Sequence, residues 1–137
     1  SRGVLIASQV STGEENGFNI RVYGNKAGMY WLQENPNYLR VKYPAGYVTV
    51  YSKGNPVLCE AAQRAGRLPF GHPDGFIEAF ANLYLESFRG IRALLGGDEL
   101  PDDLDVPGID DGVIGMQFIE TVVASAQADG KWTRWED

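Results

Sequence analysis

Apolar and polar residues alternate with a period of two through much of the first half of the chain. Val4, Ile6 and Ser8 fall on one face and Leu5, Ala7 and Gln9 on the other, so Val4–Val10 reads as a loose first strand. Phe18, Ile20 and Val22 alternate with Asn19, Arg21 and Tyr23, the mark of a half-buried strand. Met29 to Gln33, Tyr38 to Tyr43 and Tyr47 to Tyr51 follow as three more. The breaks between them are rich in turn formers, as in Ser11–Gly17, Gly24–Gly28, Glu34–Asn37 and Pro44–Gly46. Connections this short favour antiparallel neighbours, because a parallel crossover needs roughly a dozen residues or more. A meander is expected.

The period changes after residue 70. His72 precedes Pro73 and is therefore pushed out of the helical region. Asp74 then stands where a carboxylate can cap the helix that follows. Phe76, Phe80, Leu83, Ser87, Ile91 and Leu95 recur at helical spacing, and Ile77, Tyr84 and Phe88 widen that stripe enough to cover a sheet. Gly96-Gly97 ends the pattern. A second stripe of Val113, Met116, Ile119, Val123 and Ala126 predicts a helix starting at Asp110 or Asp111 and stopping at Gly130. Leu58 to Ala65 reads as a weak helical turn, and Lys131 to Trp135 as a closing strand. The expected fold class is α+β: a mostly antiparallel sheet of about five to six strands with two main helices packed on one face, as a single domain over residues 1–137.

Composition and charge narrow the function classes. A hydrophobic content of 44% is enough for a packed core, which excludes a disordered chain. The net charge of −6 comes from one loop. Asp98, Glu99, Asp102, Asp103, Asp105, Asp110 and Asp111 hold seven of the 18 acids, leaving 12 bases against 11 acids elsewhere. With no basic stripe, nucleic acid is not an expected partner. No apolar run reaches about 18 residues and no signal peptide is visible, so neither membrane insertion nor secretion is expected. Cys59 is the one cysteine, which excludes an internal disulfide and fits a reducing, cytoplasmic setting. The start at Ser1-Arg2-Gly3, without methionine, suggests either a missing N-terminal part or an expression scar.

Candidate chemistry is sparse. His72 is the only histidine, and the one side chain able to exchange a proton near neutral pH without a large shift. In a Pro/Gly turn it either touches a ligand or packs locally. The acidic loop could offer carboxylates to calcium, but its spacing departs from an EF-hand and Pro101 and Pro107 interrupt it, which favours a solvated loop. Cys59 has no histidine or cysteine at metal spacing, so no metal site is expected. Trp31, Tyr30, Tyr38, Tyr43, Tyr47 and Tyr51 could stack on a sugar, yet aromatics are ordinary strand residues and core or interface use fits them better. Val48 and Val50 on one sheet face and Tyr47 and Tyr51 on the other leave a second large-residue face that two helices cannot cover. A homo-oligomer through that open face is expected.

The stretch from Gly71 to Tyr84, GHPDGFIEAFANLY, resembles the GHPEGY-IEAFAN-LY segment in the C-terminal domain of the Gfo/Idh/MocA oxidoreductases, the relatives of glucose–fructose oxidoreductase and inositol dehydrogenase. Asn19–Trp31, with Gly24-Asn25-Lys26-Ala27-Gly28 at its centre, is similar to that family's strand, glycine turn and strand ending in tryptophan. Asp110–Val113, Phe118–Glu120 and Gly130–Trp132 are similar to its last helix and closing strand. The resemblance implies the C-terminal substrate and oligomerisation domain of an NAD- or NADP-dependent dehydrogenase acting on a sugar or polyol. It also implies an N-terminal Rossmann domain outside this sequence and places His72 at a substrate hydroxyl. The family's Glu-Lys-Pro lysine and Asp-x-x-x-His pair do not occur here, nor does a Gly-x-Gly-x-x-Gly fingerprint. The chain alone is therefore expected to bind no NAD(P) and to catalyse nothing, and no catalytic residue is named in it. The alternative is a stand-alone α+β module that binds a ligand or only assembles.

Overall fold

The structure, a computed structural model, describes residues 2–135; Ser1, at the head of the expected strand pattern, lies outside them. Four strands form one sheet in the order β1-β2-β3-β4: β1 (Asn19–Tyr23), β2 (Gly28–Leu32), β3 (Tyr38–Lys42) and β4 (Val48–Ser52). Every neighbouring pair is antiparallel. The meander follows from the short turns. The first closes with Gly24 donating its N–H to the Ala27 carbonyl at 2.9 Å, and the third with Tyr43 donating to the Tyr47 carbonyl at 3.1 Å. Three helices follow: α1 (Glu60–Ala65), α2 (Phe76–Gly96) and α3 (Ile109–Gln127). No helix among the described residues is long and apolar enough to cross a membrane.

Register sorts the sheet's side chains onto two faces. Ile20 lies opposite Trp31, Met29 opposite Val41, Leu39 opposite Tyr51 and Val41 opposite Thr49, so these share one face. Val41, at 9% exposure, is the one buried hydrophobic residue among the described residues. The other face carries Arg21 opposite Tyr30, Tyr30 opposite Arg40, and Lys42 opposite Val48. Its aromatic residues are thus interleaved with three cations. Arg21 sits 5.1 Å from the centre of the Tyr30 ring, a cation–π contact.

Among the described residues the strand count comes down to four from the expected five to six. Val4–Val10 has no ladder, and Val4 and Ile6 remain 90% and 84% exposed. Alternation marks a segment that suits a sheet, but a strand exists only where a neighbouring backbone completes its hydrogen bonds. Lys131–Trp135 fails for a local reason. The Lys131 carbonyl accepts the hydroxyls of Ser125 at 2.7 Å and Thr133 at 3.1 Å, which competes with sheet pairing.

The described residues fall into two compact units, divided between Asn82 and Leu83 within α2. In the first, α1 and the opening turns of α2 border the sheet face that holds Trp31, Leu39 and Tyr51. In the second, the acidic loop folds back on the later turns of α2. Gly90 is buried there, and a Cβ at that position would stand 3.2 Å from a Leu104 methyl. Arg89 grips Glu86 through both carboxylate oxygens, at 2.8 and 2.7 Å, and reaches Asp103 at 2.7 Å. The expected apolar stripes exist, but Phe76, Phe88, Ile91, Val113 and Ile119 are all half or more exposed.

Both long helices start by the same device. Glu78 accepts the Gly75 N–H at 2.8 Å, and Asp111 accepts the Gly108 N–H at 2.7 Å. In each, an acid three residues into the helix reaches back to the residue before it, which is half of a capping box.

Candidate functional site

The turn that carries His72 is built from sequence-distant parts. Asn37, at the end of the β2–β3 turn, exchanges two hydrogen bonds with the backbone of Asp74. Its Nδ2 donates to the Asp74 carbonyl at 2.9 Å, and its Oδ1 accepts the Asp74 N–H at 2.8 Å. Lys53, one residue past β4, places Nζ 2.8 Å from Asp74 Oδ2, 2.8 Å from the Leu68 carbonyl and 2.7 Å from the His72 carbonyl. The lysine's three donors are thereby filled. Asp74 in turn accepts the N–H of Arg67 at 2.9 Å and of Leu68 at 3.0 Å. Both side chains of the Lys53–Asp74 pair are 14% exposed.

This corrects the expected role of Asp74. Its carboxylate does not cap α2; it faces back toward residues 67 and 68 and toward Lys53. Glu78 supplies the helix-start acceptor instead. Burial pushes the Asp74 carboxyl up. The Lys53 hydrogen bond, the two backbone N–H groups and the lysine charge outweigh that and hold it below the usual aspartate value.

His72 itself is exposed. Its backbone N–H donates to the Pro69 carbonyl at 3.1 Å, while its ring has one long contact, Nδ1 to the Phe70 carbonyl at 3.4 Å. The main chain is therefore held and the imidazole is open to solvent. Gly54, with φ of +74°, makes this approach possible. A Cβ there would lie 3.2 Å from Phe70 Cα and 3.3 Å from its nitrogen.

Beside the turn lies a cavity of about 420 Å³, lined by Trp31, Leu39 and Tyr51 from the sheet, Ala62 and Ala65 from α1, and Ala79 and Asn82 from α2. His72 does not line it. Most of the polar side chains that do are committed to the protein. Lys53, Asp74 and Asn37 bond one another's neighbours as above. Asn82 accepts from Arg67 at 3.1 Å and donates to the Ala65 carbonyl at 2.7 Å. Trp31 donates its ring N–H to the Pro36 carbonyl at 3.0 Å. The walls are mainly apolar, and the candidate chemistry sits on the His72 side of the turn.

The other candidates do not converge with it. Cys59 is exposed and free at the start of α1. Asp103 is engaged by Arg89, whose guanidinium is pushed up by its hydrogen bonds to Glu86 and Asp103, and Asp111 is engaged at its own helix start. Among the described residues, no group of three or more His, Cys, Asp and Glu is placed to hold a metal ion. Lys53, Asn37 and Asn82 were not legible as site residues, since nothing adjacent in sequence marks them. The one local hint is the Lys53-Gly54-Asn55-Pro56 turn after a strand.

No protein-family model matches the chain. The chain is 33% identical to YfiI, an uncharacterized oxidoreductase of Bacillus subtilis strain 168, over 98% of its own length and 34% of that protein's. It thus spans about a third of this relative. An oxidoreductase from Sinorhizobium meliloti is similar in structure, with 38% identity, a TM-score of 0.84, and coverage of 93% of this chain and 35% of that one. An inositol dehydrogenase homologue from Azotobacter vinelandii, solved with NAD+, gives 35% identity and a TM-score of 0.88, covering 93% of this chain and 33% of its own. In sequence and in fold, this chain corresponds to about a third of these oxidoreductases, which is consistent with the Gfo/Idh/MocA C-terminal domain that its motifs resemble. The Azotobacter homologue has also been solved with NADH and myo-inositol, and that form matches with 35% identity and a TM-score of 0.78, over 93% of this chain and 34% of its own. The antiparallel sheet with helices after it, and the absence of a nucleotide fingerprint from these 137 residues, agree with a match to one part of these oxidoreductases.

Proposed function

We propose that this chain is the substrate-side and oligomerisation domain, over residues 1–137, of an NAD- or NADP-dependent oxidoreductase that acts on a sugar or polyol. The observation that carries the reading is the match over more than nine-tenths of the chain to oxidoreductases, one of them an inositol dehydrogenase homologue solved with NADH and myo-inositol. The nicotinamide cofactor would take up hydride from a hydroxyl-bearing carbon. A Rossmann domain outside these residues would hold it, since this chain carries no glycine-rich fingerprint.

This chain's own contribution is recognition. His72 offers an exposed imidazole that can donate to or accept from a substrate hydroxyl, and its backbone is held at both its N–H and its carbonyl. The sheet face with Tyr30, Val48 and Val50 serves as the subunit interface of a homo-oligomer. Arg21, Arg40 and Lys42 on that face make no ion pair among the described residues, so the partner surface meets them with acceptors. The protein works in the cytoplasm, and the chain alone neither binds NAD(P)H nor turns over substrate.

The test is turnover by the full-length protein that carries this chain. Reduction of NAD+ or NADP+ with a panel of sugars and polyols supports the reading, and no reduction with any member sinks it.

A further inference from the structure

We propose that Lys53 is a positioning residue for the substrate contact of His72, acting through the His72 carbonyl. The inference rests on the reading that His72 meets a substrate hydroxyl. Lys53 Nζ lies 2.7 Å from the His72 carbonyl and 2.8 Å from that of Leu68, so one ammonium spans both ends of the turn that presents the ring. Among the described residues, nothing else grips His72 firmly beyond its own N–H bond to the Pro69 carbonyl. The ring contact to Phe70 is 3.4 Å, longer than an ordinary N–H···O bond.

Two other clamps hold the rest of the turn without Lys53. Asn37 pairs with both backbone groups of Asp74, and the Asp74 carboxylate accepts the N–H groups of Arg67 and Leu68. Removing the ammonium therefore frees the His72 carbonyl while residues 67, 68 and 74 stay tied. With its three donors filled by protein, Lys53 has none left for a ligand. Its effect on binding must pass through His72, which gives it a signature that general destabilisation lacks. Losing Lys53 costs substrate affinity only while His72 is present.

The experiment is a double-mutant cycle on the full-length protein, with KM for myo-inositol and kcat read separately. His72→Ala raises KM about five- to tenfold, the size of one lost hydrogen bond, with little change in kcat. Lys53→Met raises KM by a similar factor, and the double variant is no worse than His72→Ala alone. Lys53→Arg, which keeps a cation beside Asp74, recovers part of the loss. An unchanged KM in His72→Ala overturns the reading of His72 itself. A raised KM in His72→Ala with none in Lys53→Met, or effects that multiply in the double variant, overturns the role given to Lys53 and leaves His72 standing. Should Lys53→Met fail to fold, the same cycle is run with Lys53→Arg, and multiplying effects there overturn the proposal equally.

Discussion

Asn37 and Asp74 bind each other by two reciprocal hydrogen bonds, at 2.9 and 2.8 Å, across 37 residues of sequence. The amide imitates a strand neighbour, giving one donor and one acceptor to a backbone that has no strand beside it. Asn37→Asp keeps the shape but removes the donor, leaving the part-buried Asp74 carbonyl unpaired. It should destabilise the chain by about 1–3 kcal/mol. Urea unfolding checks this, and an unmoved midpoint would mean that the clamp adds nothing.

The Lys53–Asp74 pair makes stability depend on pH in a defined window. The native Asp74 value is depressed, so its contribution is complete above the unfolded aspartate value of about 3.9. It declines only as pH falls below that, toward the native value. Between pH 5 and pH 8 the group adds no slope. Asp74→Asn lowers stability at neutral pH, and the gap to the parent chain closes as pH falls below about 4. Unfolding midpoints of both proteins across acid pH test it. A gap that stays constant down to the lowest pH would contradict it.

Gly54 and Gly46 both have positive φ, +74° and +90°, but only Gly54 faces another backbone. A Cβ there would stand 3.2 Å from Phe70 Cα, while Gly46 has nothing within 4 Å. Gly46→Ala should cost about 1–2 kcal/mol, the conformational penalty alone. Gly54→Ala should cost more, because the Phe70 main chain must also move. Thermal unfolding of the two variants side by side decides it, and equal losses would refute the close approach.

Within α3, Gly115 has open space where a Cβ would go. Gly115→Ala should stabilise by about 0.5–1 kcal/mol through helix propensity. Gly90→Ala in α2 should gain less or lose, since Leu104 stands 3.2 Å from the new methyl. Denaturant unfolding of both gives the ranking, and a larger gain at Gly90 would reverse it.

Periodicity located β1 to β4 and the two long helices, because both depend on local spacing and local turn chemistry. The pattern failed at Val4–Val10 and Lys131–Trp135. The sequence there suits a strand, but among the described residues no neighbouring backbone pairs with Val4–Val10, and hydroxyls of Ser125 and Thr133 take the Lys131 carbonyl. Asp74 was misread for a related reason. Helix-start position suggested a local cap, whereas its cation is Lys53, 21 residues away, and the cap is Glu78. The resemblance to an oxidoreductase domain pointed to His72, but only the fold brings Lys53 and Asn37 to its turn.

The central claim is that this chain recognises substrate for a cofactor domain that it does not contain. The most direct measurement is NADH formation from NAD+ and myo-inositol, run in parallel on the full-length protein and on the 137-residue chain, with NADH titrated into the latter. The account predicts turnover by the full-length protein, and neither turnover nor NADH binding by the chain alone. NADH binding by the isolated chain, or a full-length protein that oxidises no polyol or sugar, would contradict it.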